Sequence, residues 1–171
     1  IQDLHTHAQT QRQISDLIGH VHQQVGIRLV MLEGAEGPCD TASYTGLPDP
    51  ASTEQVARAF RHQGLLTGAE YYAVSHPGRV TLWGAEDDAV YREHLAAYPY
   101  GSGVLLTATP RSPPHALERF YALSHRRDGI LVRNTLQQLA AQRLPAAILI
   151  VGGFHAPGVA RHLRDRRVAY V

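Results

Sequence analysis

The sequence predicts an α/β fold: an open, mostly parallel sheet flanked by helices, with the functional groups at the carboxyl ends of the strands. Short apolar runs, such as "IRLVMLEG" (27–34) and "AAILIVGG" (146–153), alternate with segments of helical periodicity. Continuous apolar runs are typical of parallel strands that helices cover on both faces. With 171 residues, 44% of them hydrophobic and 18% charged, the chain can form one domain with a buried core.

The first half of the chain is predicted to alternate strands and helices. The elements, in order, are a strand ending at His5, a helix over about residues 9–25, a strand over 27–34, and helices over about residues 51–62 and 67–74. The first helix follows from the apolar spacing of "ISDLIGHV" (14–21), and Gly26 is its stop. The region 35–79 is rich in Gly and Pro and is interpreted as loop-rich or inserted. Within it, Thr67 and Glu70 have the spacing of a helix capping box.

The second half continues the same alternation. Its predicted elements are a strand over 80–87, a helix that ends near residue 98, a long helix from Ser112 to about Arg143, a strand over 146–153, a short helix over 158–167 and a last strand over 168–171. Asp87 or Asp88 is the expected N-cap of the first helix, and Pro113 suits the first turn of the long one. The segment 98–115 is ambiguous and is interpreted as a shortened connection or an insertion region. Because both ends resemble strands cut off mid-run, residues 1–171 are interpreted as one domain of a longer chain.

Composition excludes several function classes. The formal net charge is +1 and the arginines are scattered, so no nucleic-acid surface is expected. All 16 basic residues are arginine, which excludes Schiff-base and Walker-type lysine chemistry. The single cysteine, Cys39, excludes an intrachain disulfide and a Cys-rich zinc site. No apolar run approaches the roughly 18 residues of a membrane helix. The expected partner is a small-molecule or peptide substrate, and the oligomeric state is left open.

Polar side chains follow four of the predicted strands. His5, Glu33, Glu86 and His155 each stand where an apolar strand ends. Ligands bind outside the carboxyl ends of the strands in open α/β sheets. These four positions are therefore predicted to converge on one site.

The opening "DLHTH" (3–7) is a candidate metal motif. On a strand, Asp3, His5 and His7 share one face, and such spacing is used by hydrolases to hold a divalent ion. The metal ligands predicted from the whole chain are His5, His7, Glu33 and His155. The alternative is that the histidines are solvated residues near strand ends and that Glu33 is a solvated strand-end carboxylate.

Arg127 is predicted to point from the long helix toward this site. It shares the apolar side of that helix with Leu131 and Asn134, at spacings of four and seven residues. A charged Glu33 side chain in a pocket at the edge of the sheet would cost free energy unless a metal ion or an arginine balanced it. Arg127 is therefore expected to contact Glu33 or a substrate oxyanion, and the alternative is that its side chain extends into solvent.

The remaining histidines and the tyrosine pair have structural explanations. Tyr71 and Tyr72 are interpreted as packing residues rather than haem ligands, and Glu70 as a capping residue outside the site. Solvated surface positions are predicted for His20, His22, His62, His94, His115, His125 and His162.

Taken together, the motifs resemble a superfamily that includes erythromycin esterases, ChaN-like haem-binding lipoproteins and TraB/Tiki-type metalloproteases. Its members have a strand ending in G-[ET]-x-H, then V-x-x-E, a helix with R-D-x-x-[LM]-x-x-N, and a late G-x-x-H. The corresponding segments, in the same order, are "QDLH" (2–5), "VMLE" (30–33), "RDGILVRN" (127–134) and "GGFH" (152–155). Gln2 and Asp3 depart from the first motif, and the short stretch 98–115 implies that a substrate-binding lobe of the group is missing.

This resemblance implies a divalent-metal-dependent hydrolase of peptide or ester bonds. His5, Glu33, Arg127 and His155 would be the catalytic set. His5 and His155 would act as metal ligands or acid–base groups, Glu33 as a ligand or general base, and Arg127 as the oxyanion partner. Mn²⁺, Co²⁺ or Zn²⁺ would suit imidazole and carboxylate ligands.

Other functions compete with this hypothesis. ChaN-like relatives imply a haem- or iron-binding module without turnover. "DLHTH" is also similar to the first metal motif of PHP-type phosphoesterases, although the later "TDH" of that family is absent. A third alternative is a degenerate domain without activity.

Overall fold

The computed structural model describes residues 1–4, 7–41, 44, 49–97 and 114–171. Its strands are β1 (Gln2–Asp3), β2 (Leu29–Leu32), β3 (Glu36–Pro38), β4 (Thr81–Ala85) and β5 (Ile148–Gly152). Its helices are α1 (Ala8–Val25), α2 (Pro50–His62), α3 (Gly68–Ser75), α4 (Asp88–Ala96), α5 (Pro114–Gln142) and α6 (Ala156–Asp165). The predicted α/β class is confirmed. Residues 98–113 of the ambiguous segment 98–115 lie outside the described residues, and α5 begins at Pro114.

The five strands form one sheet in the order β1-β5-β2-β4-β3. The pairs β1–β5, β5–β2 and β2–β4 are parallel, and β3 pairs with β4 in the antiparallel direction. Because parallel strands point the same way, the residues that follow β2, β4 and β5 meet at one edge. The central strand β2 brings Glu33 to the middle of that edge.

Each face of the sheet packs against its own helices. Val30, Leu82 and Ile150 face α1 and α3, where they meet Ile18 and Tyr72. The alternate residues of the same strands pack on α5 and α6, and these buried residues include Leu29, Met31, Leu131, Val151 and Val159. The continuous apolar runs of the sequence arise because both faces of the sheet are covered.

Local capping signals determine where several helices begin. The capping box of α3 is formed as predicted: the Thr67 side chain accepts from the Glu70 amide, and the Glu70 carboxylate accepts from the Thr67 amide. Asp87 caps α4 by accepting from the Val90 amide. Tyr71 and Tyr72 are both buried, in agreement with their predicted packing role.

Two local predictions differ from the structure. The predicted last strand, residues 168–171, is not a strand; the chain turns after α6 at Arg167, which has a positive φ of 57°, and the Val168 amide donates to the Leu163 carbonyl. Arg164 then donates to the Tyr170 hydroxyl at 2.6 Å, so this segment folds back on α6 instead of extending the sheet. The short antiparallel strand β3 was not predicted. Among the described helices, none has the length and apolar character needed to cross a bilayer.

Candidate functional site

Side chains from four elements meet at the carboxyl edge of the sheet. Glu33 follows β2, Glu86 follows β4, Arg127 lies on α5, and His155 stands directly before α6. Arg127, Glu86 and His155 are each 3% exposed or less. The structure therefore brings together Glu33, Glu86 and His155, which were predicted to converge as strand-end residues, and Arg127, which was predicted to point toward them.

Arg127 links the two glutamates. Its Nη2 donates to Oε1 of Glu33 at 2.9 Å and also makes a short contact with Oε1 of Glu86, while its Nε donates to Oε2 of Glu86 at 3.3 Å. Its guanidinium lies 4.9 Å from the centre of the Tyr91 ring. Burial opposes the charged form of Arg127, but the hydrogen bonds and charges of Glu86 and Glu33 outweigh it and raise the pKa of the guanidinium. The predicted contact between Arg127 and Glu33 is confirmed.

Glu33 is held on both of its oxygens. Oε1 receives Arg127, and Oε2 accepts the backbone amide of Gly152 at 2.5 Å. The Glu33 amide in turn donates to the Ile150 carbonyl, so this residue continues the β2–β5 pairing by one position. These contacts fix the carboxylate at the end of the central strand.

His155 lies between two carboxylates. Its Nδ1 is 2.6 Å from Oδ1 of Asp128, and its Nε2 is 3.4 Å from Oε1 of Glu33. Asp128 is 1% exposed. The short Asp128 contact fixes the ring orientation, whereas Nε2 lies beyond the usual hydrogen-bond range of about 3.2 Å from Glu33.

Close packing holds Asp128 against His155. A Cβ atom on Gly158, in the first turn of α6, would lie 1.9 Å from Oδ2 of Asp128. Only glycine at this position allows the carboxylate to approach the helix so closely.

The cluster carries an excess of negative charge. Glu33, Glu86 and Asp128 supply three carboxylates, and the guanidinium of Arg127 is the cation that contacts two of them. Buried carboxylates are costly unless positive charge balances them. The arrangement therefore attracts a further cation to this edge of the sheet.

The prediction that His94 is a solvated surface residue is wrong. It is 7% exposed, its Nδ1 accepts from Nη1 of Arg127 at 2.9 Å, and its Nε2 is 2.7 Å from the hydroxyl of Ser124. Burial, followed by the charge of Arg127, lowers the pKa of His94 from 6.5 to about 4. The ring is thus neutral at pH 7, with its proton on Nε2. The sequence pattern that could have indicated its burial is the four-residue spacing from Val90, which places both side chains on the same face of α4.

Asn134 and Asp128 were not singled out as site residues either. Asn134 Nδ2 donates to the carbonyls of Ala85 and Glu86, each at 2.9 Å, and so fixes the end of β4. Both residues belong to "RDGILVRN" (127–134), so the motif itself was the available signal.

A cavity of about 240 Å³ adjoins Glu33 on the α1–α3 side of the sheet. Its lining includes Asp3, Cys39, Thr67 and Glu70 as well as Glu33. Burial, and then the charge of Glu70, raise the pKa of the Cys39 thiol. The cavity gives Glu33 access to a small ligand.

The structure describes three of the four predicted metal ligands: His7, Glu33 and His155. His5 lies outside the described residues. His7 is exposed and caps α1, where its Nδ1 accepts from the Thr10 amide at 3.3 Å. The described residues contain no group of three or more His, Cys, Asp or Glu side chains that could hold a metal ion. Of the predicted set, Glu33 and His155 lie together.

Comparisons with protein-family models, curated proteins and solved structures found no match. The resemblance to the erythromycin esterase, ChaN-like and TraB/Tiki superfamily therefore stays a prediction.

Proposed function

We propose that this chain is a hydrolase of ester or peptide bonds. The observation that supports the proposal is the position of His155, which a buried Asp128 orients and which faces Glu33. Glu33 in turn lines the cavity. A histidine held by a carboxylate on one nitrogen can exchange a proton from the other, which is the task of a general acid–base catalyst.

In the proposed mechanism, Glu33 orients a water molecule at the edge of the cavity that it lines. His155, whose Nε2 faces Glu33 from outside the cavity lining, moves the proton of that water. Nε2 of His155 takes the proton as the water oxygen bonds to the carbonyl carbon. The same nitrogen then returns the proton to the leaving oxygen or nitrogen as that bond breaks. Asp128 keeps the ring in place throughout.

Arg127 has a positioning role in this proposal. Each of its three guanidinium nitrogens already has a protein partner: Glu33, Glu86 or His94. Direct binding of a substrate oxyanion, the role expected from the resemblance, would require one of these contacts to be replaced. We therefore assign Arg127 to holding Glu33.

A divalent ion remains part of the proposal. The donor chemistry of Glu33 and His155 suits Mn²⁺, Co²⁺ or Zn²⁺, and the excess negative charge favours a cation. These two described donors do not form a site by themselves, so His5 would have to complete it. Such an ion would polarise the carbonyl group and the attacking water.

The test measures hydrolysis of activated esters and peptides by the wild type and by His155→Asn and Asp128→Asn. Removing an acid–base group usually lowers the rate by roughly a hundred- to ten-thousand-fold. His162→Asn, which changes a half-buried histidine on α6 outside the carboxylate cluster, is the matched control. Assays with chelator, and after adding back each ion, decide whether a metal is required.

Two outcomes would contradict the proposal. One is turnover within a few-fold of wild type in both variants. The other is no turnover under any metal condition together with a haemin-induced Soret band, which would favour the haem-binding alternative.

A further inference from the structure

A second cavity, a groove of about 860 Å³, lies between α1, α2 and α3. Its lining residues differ from those of the cavity beside Glu33. It is therefore a separate candidate site, and the hydrolase proposal makes no use of it.

Positive charge dominates the lining of this groove. Arg12, Arg58 and Arg61 contribute three guanidinium groups, against one carboxylate, Asp16. The Asp16 contact is weak, since its oxygen is 3.9 Å from Nε of Arg12 and both side chains are largely exposed. Positive groups that surround a concave surface attract anions more strongly than the same groups on a flat surface.

Among the three arginines of the groove, Arg61 has the guanidinium that is best positioned to bind an anion. Its guanidinium lies 4.0 Å above the centre of the Tyr71 ring, and its side chain is half-buried. Within the described part of the chain, no carboxylate or hydrogen-bond acceptor contacts its guanidinium. A stacked guanidinium keeps its donors in one plane and open for an anion with several oxygens.

Arg58 differs from Arg61 because it already has a partner. Its Nη2 is 2.5 Å from Oε1 of Glu54, one turn earlier on α2. An anion in the groove would have to share Arg58 with that carboxylate. Arg61 should therefore contribute more to binding than Arg58.

The floor and rim of the groove are ordered by ring contacts. His76 stacks on Tyr72 with ring centres 4.4 Å apart, and a Cβ on Gly19 would lie 3.0 Å from the Tyr72 ring. The absence of a side chain at Gly19 therefore lets α1 pack closely against Tyr72, and both residues line the groove. His20 and His62 also line the groove and add ring N–H donors.

We propose that this groove binds a small anion that carries phosphate groups. Phosphate matches the guanidinium of Arg61 in charge and geometry, and the neighbouring arginines and imidazoles can contact further oxygens. The ligand could be a free phosphorylated metabolite or the headgroup of a lipid, which share this chemistry.

The experiment titrates inorganic pyrophosphate into the full chain by calorimetry at low salt. We expect Arg61→Gln to weaken binding about tenfold or more, Arg61→Lys to restore part of it, and Arg58→Gln to cause a smaller loss. Arg164→Gln, an exposed arginine of α6, is the control and should bind as wild type does. Circular dichroism checks that each variant is folded.

Vesicles that contain a phosphoinositide, compared with neutral vesicles, separate the two sources of phosphate. Binding to these vesicles that depends on Arg61 assigns a lipid headgroup, and binding to soluble phosphates alone assigns a metabolite. The proposal is overturned if wild type binds neither probe, or if Arg61→Gln and Arg164→Gln bind with equal affinity.

Discussion

The Gly158→Ala substitution tests the packing that holds Asp128 against His155. The new Cβ would stand 1.9 Å from Oδ2 and 2.4 Å from Cγ of Asp128, distances far shorter than real contacts of this kind. Either the carboxylate or α6 has to move by more than about 1 Å, given that overpacked cores shift side chains and backbone. Because Nδ1 and Oδ1 are now 2.6 Å apart, such a movement would break the hydrogen bond to His155.

The expected cost combines two effects. Overpacking typically costs about 1–3 kcal/mol, and a buried hydrogen bond to a charged group contributes about 1.5–3 kcal/mol. Alanine regains up to about 1 kcal/mol through its higher helix propensity. We expect the free energy of unfolding to fall by about 2–4 kcal/mol, measured by urea denaturation, and the rate of hydrolysis to fall with it.

Gly129→Ala is the matched control on α5. Its Cβ would meet His162 at 3.4 Å, an ordinary contact, so this variant should keep wild-type stability within about 1 kcal/mol. Equal unfolding free energies for Gly158→Ala and wild type would refute the argument that glycine is needed beside Asp128.

Two further predictions concern Arg127 and its histidine partner. Arg127→Met should lower the free energy of unfolding by about 3–5 kcal/mol, because Glu33 and Glu86 would lose the cation that balances them; a denaturation curve that overlays wild type would contradict this. His94, whose pKa is about 4 in the folded chain and 6.5 when unfolded, binds a proton more readily in the unfolded state. Stability should therefore fall by about 3 kcal/mol as the pH falls from 6.5 to 4, and His94→Gln should remove that part of the pH dependence.

The sequence predicted the parts of the fold that depend on local patterns. Apolar runs and cap residues located β2, β5 and the start of α3, because one-dimensional periodicity and capping chemistry determine those elements. The strand β3 was missed because "EGP" (36–38) has no strand pattern, and its pairing with β4 depends on tertiary contacts. The wrong last strand shows the converse, since "VAYV" (168–171) has strand propensity but finds its partner on α6.

The candidate site was predictable where a residue ends a strand, and at Arg127, which shares the apolar side of the long helix α5. It was not predictable at His94, which lies on the short helix α4. Glu33 and His155 were found because parallel strand ends share an edge. His94 was missed because its burial depends on how α4 packs against α5, where Phe120 stacks on its ring with centres 4.3 Å apart. The sequence pattern of a short amphipathic helix does not distinguish a polar residue that faces solvent from one that contacts a buried arginine.

The adjacency of Arg127 and Asp128 on α5 has a mechanical consequence. Neighbouring residues of a helix point about 100° apart, so one turn of α5 reaches β2 and β4 through Arg127 and α6 through Asp128. A rotation or axial slide of this helix would displace both side chains at once. The long helix thus couples the anchoring of the glutamates to the orientation of the histidine, because one rigid element holds both.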